Sequence, residues 1–210
     1  FQINDNRWHI ENTSKFTFNS DTIHIESFLL KRGNQSISAD GYLSDLEKHK
    51  LSFNIQNFNL SEVSNFISKT PLEGTLNAIG SISSPAKNFQ YVGYTDIKHL
   101  VLKNQLVGDV NVHSRWVPDK SSLNLQGDLI YKSNQTFDFT GDYYPYLRQN
   151  NLDFNLVFDQ TDIQFTNAFL DPNVVSEIKG LLQGKLNVTG TPNKPNLAGA
   201  VSLLAGSAKI

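Results

Sequence analysis

The stretches Leu123-Asn124-Leu125-Gln126, Thr136-Phe137-Asp138-Phe139 and Leu152-Asp153-Phe154-Asn155-Leu156 alternate apolar and polar residues one by one. Successive side chains of a β-strand point to opposite faces, so each stretch predicts a strand with one apolar face. The polar positions are Asn, Asp, Thr and Gln, which suit the water-facing side of an antiparallel sheet. These stretches therefore predict an all-β fold.

The same alternation occurs elsewhere, at Lys15-Phe16-Thr17-Phe18, Thr22-Ile23-His24-Ile25 and Asp109-Val110-Asn111-Val112. Turn-forming residues separate the strands, as at residues 31–34 and 118–121. Short, evenly spaced strands are typical of an antiparallel meander, a barrel or an elongated sheet. We expect about twenty strands, which would span roughly 90 Å at about 4.8 Å per strand if the sheet were fully linear.

Two short helices are expected between the strands. Asn59 as N-cap, with Glu62 three residues later, predicts the first. Its apolar side would carry Leu60, Val63, Phe66 and Ile67.

Asp171, followed by Pro172 at the first helical position, predicts the second helix, which would end at Gly180. Its inward residues would be Val174, Val175 and Ile178. Residues 162–169 match neither the helical nor the strand period, so the sequence leaves open whether they form a further helical turn.

Part of the chain repeats. Three blocks recur in the same order, namely residues 34–41 as 134–141, residues 51–55 as 152–156, and residues 72–85 as 182–195. The shared order predicts a duplicated supersecondary module, at about residues 33–95 and again at about 133–203. Amphipathic strands cannot bury their apolar face alone, so such modules stack into one continuous surface. We therefore expect residues 1–210 to be a single elongated β-repeat segment of a longer chain.

The inward positions of the strands are candidates for the lining of an apolar groove. They are Phe16, Phe18, Ile23, Ile25, Ile37, Leu51, Phe53, Ile55, Val110, Val112, Leu123, Leu125, Phe137, Phe139, Leu152, Phe154, Leu156, Leu186 and Val188. Periodicity alone does not tell whether this face closes over itself or stays open as a trough.

The composition argues against several classes of function. Lys and Arg number 18 against 20 Asp and Glu, so no positive surplus attracts nucleic acid. The chain has no Cys, and its five His residues show no spacing suited to a metal ion. No nucleophile elbow or phosphate-binding glycine loop occurs. We therefore expect no enzyme activity, no catalytic residues, no cofactor and no bound metal.

Residues 178–199, with the run Gly180-Leu181-Leu182-Gln183-Gly184 and then Gly190-Thr191-Pro192, resemble the signature of the TamB family. The resemblance extends more loosely upstream through Trp8, residues 34–41 and residues 51–60. The Asn-rich character is similar to that of members from Bacteroidota-type genomes. The resemblance implies an elongated, curled sheet of repeated antiparallel strands, a β-taco with an open groove, as in AsmA-like bridge proteins.

The resemblance also implies a function. The segment would lie in the periplasm, within a protein anchored in the inner membrane outside this fragment. It would carry phospholipid acyl chains between the inner and outer membranes, or support outer-membrane protein assembly with a barrel protein as partner. An apolar groove would do this without catalysing a reaction. No nucleic acid is expected as a partner.

A second interpretation rests on the aromatic residues Trp8, Trp116, Tyr143, Tyr144 and Tyr146. Exposed, coplanar rings could stack on sugars. The chain would then be an extracellular or envelope β-sandwich module that binds carbohydrate or protein, with a sealed core. The two interpretations differ in whether the apolar face is open.

Overall fold

Strands make up most of the chain. The computed structural model describes residues 2–3, 6–46, 48–64, 71–86, 88–131, 134–168 and 176–209. The strands are β1 (Gln2–Ile3), β2 (Asn6–Arg7), β3 (His9–Ile10), β4 (Lys15–Asn19), β5 (Thr22–Arg32), β6 (Gln35–Leu43), β7 (Leu51–Asn59), β8 (Leu72–Ser83), β9 (Gln90–Leu102), β10 (Gln105–Val117), β11 (Ser122–Tyr131), β12 (Asn134–Tyr143), β13 (Leu152–Asp162), β14 (Ser176–Thr191) and β15 (Lys194–Lys209). Three 3₁₀ helices lie at Leu60–Glu62, Pro118–Lys120 and Ile163–Ala168.

The strands from β3 to β15 form one antiparallel sheet of 13 strands within the described residues. Strands β5 to β15 lie side by side in chain order, and β3 and β4 both pair with β5. The sheet is open, since β15 pairs only with β14 and does not meet β3 or β4. The prediction of an all-β, elongated antiparallel sheet is thus confirmed, and the β-sandwich of the second interpretation does not form.

Among the described residues, the strands are fewer and longer than expected. Strands β8 to β10 have 12, 13 and 13 residues, and β14 and β15 have 16 each. Twelve strand positions at about 4.8 Å per step span roughly 50 Å, not the 90 Å that about twenty strands would give. The expected count was wrong because irregularities inside strands look like breaks in the sequence.

These irregularities are β-bulges at residues with a left-handed backbone. Ser27, Asn57 and His99 have φ values of 53°, 52° and 54° and lie where the registers of β5, β7 and β9 shift. In each case the backbone N–H donates to a side-chain oxygen on the next strand. The acceptors are Asp40 Oδ2 at 2.9 Å, Asn77 Oδ1 at 2.8 Å and Asp109 Oδ1 at 2.7 Å. The same arrangement therefore occurs in three strands. In each, the strand continues beyond the residue at which its apolar–polar alternation breaks.

The strand register gives the sheet two chemically different faces. Directly paired residues share a face. One row on the apolar face runs through Leu30, Ile37, Ile55, Ala78, Thr95, Val112, Gly127, Phe139, Leu156, Leu186 and Gly199. Asn, Asp, Ser, Thr and Gln dominate the opposite, polar face, where Asn111 lies between Asp96 and Asp128.

We call the loops after β5, β7, β9, β11 and β13 the upper rim, and the loops after β6, β8, β10, β12 and β14 the lower rim. The first buried cluster, the Trp8 cluster, lies on the apolar face near the upper rim. It contains Trp8, Leu30 and Phe58, with Ile55 and Val63 packed against them. The Trp8 ring stacks on Phe58 at a centroid distance of 5.9 Å.

The second buried cluster, the Phe165 cluster, lies on the same face, also near the upper rim. Phe165 and Ala168 of the third 3₁₀ helix pack on Val107, Leu129 and Phe158. This helix contacts both β10 and β14, which lie four strands apart, so it covers the upper half of the apolar face there. Within the segment 162–169 that the sequence left open, the helix Ile163–Ala168 thus covers the upper half of the apolar face; residue 169 lies outside the described residues.

The structure agrees with the predicted start of the first helix and differs from the predicted end of the second. Asn59 caps the first 3₁₀ helix as expected, since its side chain accepts from Ser61 N. The remainder of that helix, including Phe66 and Ile67, lies outside the described residues. The second helix was expected to run to Gly180, and this end is wrong, because Ser176–Thr191 form β14. Pairing with β15, as at Leu181 and Leu204, extends the strand through Gly180. Residues 171–175, with Val174 and Val175, lie outside the description.

Candidate functional site: an open apolar face

All nineteen candidate lining residues lie on the apolar face. The pairs Phe16–Ile25, Leu51–Gly41 and Phe154–Val188 show how the register links them across the sheet. None is fully buried, because Phe16 and Phe18 are 46% and 69% exposed and the other seventeen are half-buried. A single open sheet leaves this face without a second sheet to cover it.

The nineteen residues form two groups, according to whether they pack against a buried cluster. Six pack against the buried clusters near the upper rim, namely Ile37, Ile55, Val110, Phe137, Leu156 and Leu186. The others lie outside both clusters, namely Phe16, Phe18, Ile23, Ile25, Leu51, Phe53, Val112, Leu123, Leu125, Phe139, Leu152, Phe154 and Val188. The lower half of the apolar face is therefore the part that a ligand could reach.

Phenylalanine rings lie across glycines on this face. A Cβ atom added at Gly80 would stand 2.5 Å from Phe53 Cζ, and one at Gly127 would stand 2.7 Å from Phe139 Cζ. A ring that lies over a glycine of the neighbouring strand replaces the missing side chain and smooths the floor. The two rings thus cover positions of β8 and β11 that have no side chain of their own.

Sequence reasoning missed part of the lining for the same reason. Leu76, Ala78 and Ile82 of β8 and Ile97 of β9 share the apolar face with the nineteen. Gly80 breaks the apolar alternation of β8. A search that accepted glycine at inward positions would have found these residues.

Charged and polar groups surround the Trp8 cluster at the upper rim. Glu62 is 4% exposed and pairs with Arg32, and it accepts hydrogen bonds from Trp8 Nε1 at 3.3 Å and Gln35 Nε2 at 3.0 Å. The Arg32 guanidinium lies over the Trp8 ring at 5.4 Å from its centroid. A buried carboxylate needs such partners to offset its desolvation. This network fixes the N-terminal segment to the apolar face.

At the lower rim, Phe89, Trp116 and Tyr143 are half-exposed. Trp116 lies near the end of β10, next to Arg115, which pairs with Val92. Trp116 itself pairs with Leu123 of β11, and Leu123 pairs with Tyr143 of β12. Phe89 meets Trp116 at 5.4 Å and 70° between ring planes. The lower rim therefore places half-exposed aromatic side chains beside the apolar floor.

The aromatic residues of the second interpretation do not form one flat platform. Trp8 is 2% exposed near the upper rim, whereas Trp116 lies at the lower rim. Tyr146 is 79% exposed but meets Trp116 edge-on, at 82° between ring planes. Sugar stacking requires exposed faces in one plane, which these three rings do not provide.

The polar face carries ordered amide and carboxylate ladders. Asn77 Nδ2 donates to Asp96 at 3.2 Å, and Asn111 Nδ2 donates to Asp128 at 3.0 Å. A shallow depression of about 710 Å³ lies on this face, beside His113. Its lining mixes polar side chains, such as Gln126 and Asp138, with the exposed apolar side chains of Val92 and Val157.

One carboxylate has a shifted pKa. Burial works to raise the pKa of Asp142, but hydrogen bonds from Lys120, Asn124 and Ser122 outweigh it, so its pKa lies below the usual range. Lys120 Nζ lies 2.8 Å from Asp142 Oδ2, and this hydrogen bond raises the pKa of Lys120. Asp142 lies on the polar face with all its partners, so its role is structural.

Among the described residues, no group of three or more His, Cys, Asp or Glu side chains is placed to hold a metal ion. The helices in that part of the chain are all too short or too polar to cross a membrane. Compared with known proteins, the chain matches no protein-family model, no curated protein and no solved structure. The resemblance to TamB proteins therefore rests on the residues quoted above.

Proposed function

We propose that this chain is a non-enzymatic, periplasmic segment of a TamB-like protein that shields phospholipid acyl chains from water between the inner and outer membranes. The observation that supports this most is the placement of nineteen apolar residues on one face of an open sheet, with none of them fully buried. Soluble proteins rarely leave so large an apolar surface without an occupant.

The energetics favour such a role. Each CH₂ group exposed to water costs about 0.8 kcal/mol, so a two-chain phospholipid crossing water faces a barrier of about 20 kcal/mol. Contact with apolar side chains along the sheet lowers this barrier without any covalent step. The polar face, with exposed Gln126, Thr140 and Asn155, keeps the outside of the sheet in water.

Lipid binding by the purified chain tests the proposal. The chain is incubated with phosphatidylcholine that carries a fluorescent acyl chain, and the bound lipid is measured after gel filtration. Leu125→Asp places a charge on the lower half of the apolar face, and Gln126→Asp places one on the polar face. We expect Leu125→Asp to reduce bound lipid at least fivefold, while Gln126→Asp leaves it unchanged. Circular dichroism confirms that both variants fold.

The same face could instead hold apolar strands of an outer-membrane protein during assembly, with a barrel protein as partner. In that case the purified chain would retain unfolded barrel segments and little lipid, and Leu125→Asp would reduce capture of those segments. Absence of both ligands from the wild-type chain would contradict both roles.

A further inference from the structure

We infer that two copies of this chain pair edge to edge through β15, in antiparallel orientation, around a two-fold axis at Ala200. The inference concerns an interaction surface and does not rest on the proposed function. It follows from the free edge of the sheet and from a bulge on that edge, whose hydrogen-bond acceptor a second copy would supply.

Strand β15 is a long edge with little to protect it. It pairs with β14 and with no other strand in the described part of the chain. Its charges stand at its two ends, Lys194 and Lys209, and residues 195–208 between them carry none. Leu197 and Leu203, on the apolar face, are 63% and 49% exposed. An uncharged, apolar edge strand of this length is a site for pairing with another strand.

The bulge of β15 has the same local geometry as the bulge of β9. Ala205 has a φ of 49° and His99 a φ of 54°, and the register against the preceding strand shifts at both. A glycine with positive φ stands opposite each bulge. A Cβ atom added at Gly74 or at Gly180 would stand 3.2 Å or 3.0 Å from the carbonyl oxygen of the residue that precedes the left-handed one.

The earlier bulges show what Ala205 requires from a neighbouring strand. In β5, β7 and β9 the N–H of the left-handed residue donates to an Asp or Asn side chain on the strand that follows. At β9 the acceptor, Asp109, lies between Gly108 and Val110. These two residues pair with the residues one after and two before His99. A strand that pairs with β15 should therefore carry Asp or Asn opposite Ala205.

A second copy of β15 supplies this acceptor. Asn196 is the one Asn or Asp of the strand, and it is exposed on the polar face, like the acceptors of the other bulges. If this Asn lies opposite Ala205 of the other copy, the register found at β9 pairs Leu203 with Leu197 across the interface. Continued along the strand, the same register places Ala200 opposite Ala200 of the second copy.

This register is self-complementary. Because Ala200 faces its own counterpart, the pairs are the same from either copy, and both bulges obtain an acceptor. Val201 faces Gly199, and Leu203 faces Leu197, so the apolar residues of each strand meet a leucine, a valine or a glycine. The two apolar faces then lie on the same side, and the floor continues from one copy into the other.

Sedimentation equilibrium of the purified chain, without lipid, tests the pairing. We expect a dimer with about twice the 23.6 kDa mass of one chain. Asn196→Ala removes the acceptor from both bulges, so we expect the dissociation constant of the dimer to rise at least about tenfold. Asn193→Ala is the matched control, because Asn193 is exposed in the turn before β15, and it should leave the dissociation constant unchanged.

Disulfide formation reports the register, since the chain has no Cys of its own. Ala200→Cys places two thiols opposite each other on Cα atoms about 5 Å apart, which suits a disulfide. Ser202→Cys lies on the same face, but its two copies would be about 13 Å apart. We expect mild oxidation to crosslink Ala200→Cys and not Ser202→Cys. A mixture of Ser202→Cys and Ala198→Cys should crosslink, because these two positions face each other.

Three results would overturn the inference. One is a monomer at every concentration at which the chain is soluble. Another is a dimer in which Ser202→Cys crosslinks as readily as Ala200→Cys, because the copies would then pair in another register or through another surface. The third is an equal dissociation constant for Asn196→Ala and Asn193→Ala, which would remove the role of the bulge. Lipid binding is measured separately, so a monomer that binds lipid leaves the proposed function standing, and a dimer that binds none leaves only the pairing.

Discussion

The ring of Phe53 lies over Gly80 of the neighbouring strand, where a Cβ atom would stand 2.5 Å from Phe53 Cζ and 2.6 Å from the carbonyl oxygen of Val92. The glycine therefore makes room for the aromatic ring. The apolar floor depends on this pair, because Phe53 is the side chain that covers the gap.

Gly80→Ala should destabilise the chain by about 2 kcal/mol, the usual effect of overpacking a tight site. Adding Phe53→Leu should recover part of the loss, because it removes one of the two clashes. Urea denaturation measures both changes. Gly33→Asn is the control, since Gly33 has φ +57° with nothing within 4 Å, and Asn tolerates that conformation. Wild-type stability in Gly80→Ala would contradict this packing.

Arg32→Met should destabilise the chain by about 3 kcal/mol, because it leaves the Glu62 carboxylate buried without its cation. The double variant Arg32→Met with Glu62→Met should lose less than Arg32→Met alone. Lys31→Met is the control, because Lys31 is exposed and its contact with Glu11 is 4.0 Å long. Similar losses for Arg32→Met and Lys31→Met in urea denaturation would show that the ion pair does not hold the rim.

Asp109→Ala should cost about 1 kcal/mol, because it removes the acceptor of the His99 N–H at the bulge of β9. Asp109→Asn should stay within about 0.5 kcal/mol of the wild type, since Asn77 does the same at the bulge of β7. Thermal unfolding compares the two variants. Equal losses would mean that the charge of Asp109, which also lies 3.4 Å from Lys98 Nζ, matters more than the acceptor.

Asp142 should make the stability depend on acid pH. Its pKa in the folded chain lies below the value of about 4 in the unfolded chain, so its contribution is present above pH 4 and is lost as the pH falls through the folded-state pKa. Asp142→Asn should therefore be about 1.5 kcal/mol less stable than the wild type at pH 7, and this difference should shrink towards pH 3.

Urea denaturation at several pH values measures the difference. Asp119→Asn is the control, because Asp119 is exposed in the 3₁₀ helix beside Lys120. A constant difference between the wild type and Asp142→Asn from pH 7 to pH 3 would contradict the hydrogen-bonded carboxylate.

Alternation in the sequence was enough to predict the fold class and the apolar face. Residues such as Phe137 and Phe139 are two apart, and a strand must place them on the same side. The bulges were not predictable in this way, because Ile25 and Phe28 share a face although they are three residues apart. Local patterns carry no sign of the side chain on the next strand, such as Asp40, that stabilises such a bulge.

The limits of the apolar groove also depended on contacts distant in sequence. Glu62 lies in the first turn of the helix that Asn59 caps, as expected, but nothing in the local pattern indicated that it is also a buried partner of Trp8, 54 residues away. The third 3₁₀ helix fits no period because its buried residues, Phe165 and Ala168, pack on side chains from β10, β11 and β13. Only the assembled sheet shows which half of the apolar face is covered.

The most direct test is photocrosslinking in intact cells that express the full-length protein. Benzoyl-phenylalanine is placed at Phe154 on the lower half of the apolar face, or at Asn155, the next residue, on the polar face. A third variant carries it at Phe137, whose ring is covered by Phe165 at 5.3 Å. We predict phospholipid adducts by mass spectrometry at position 154, few at 137 and none at 155. Equal adducts at 154 and 155, or none at either, would contradict a lipid path along the apolar face.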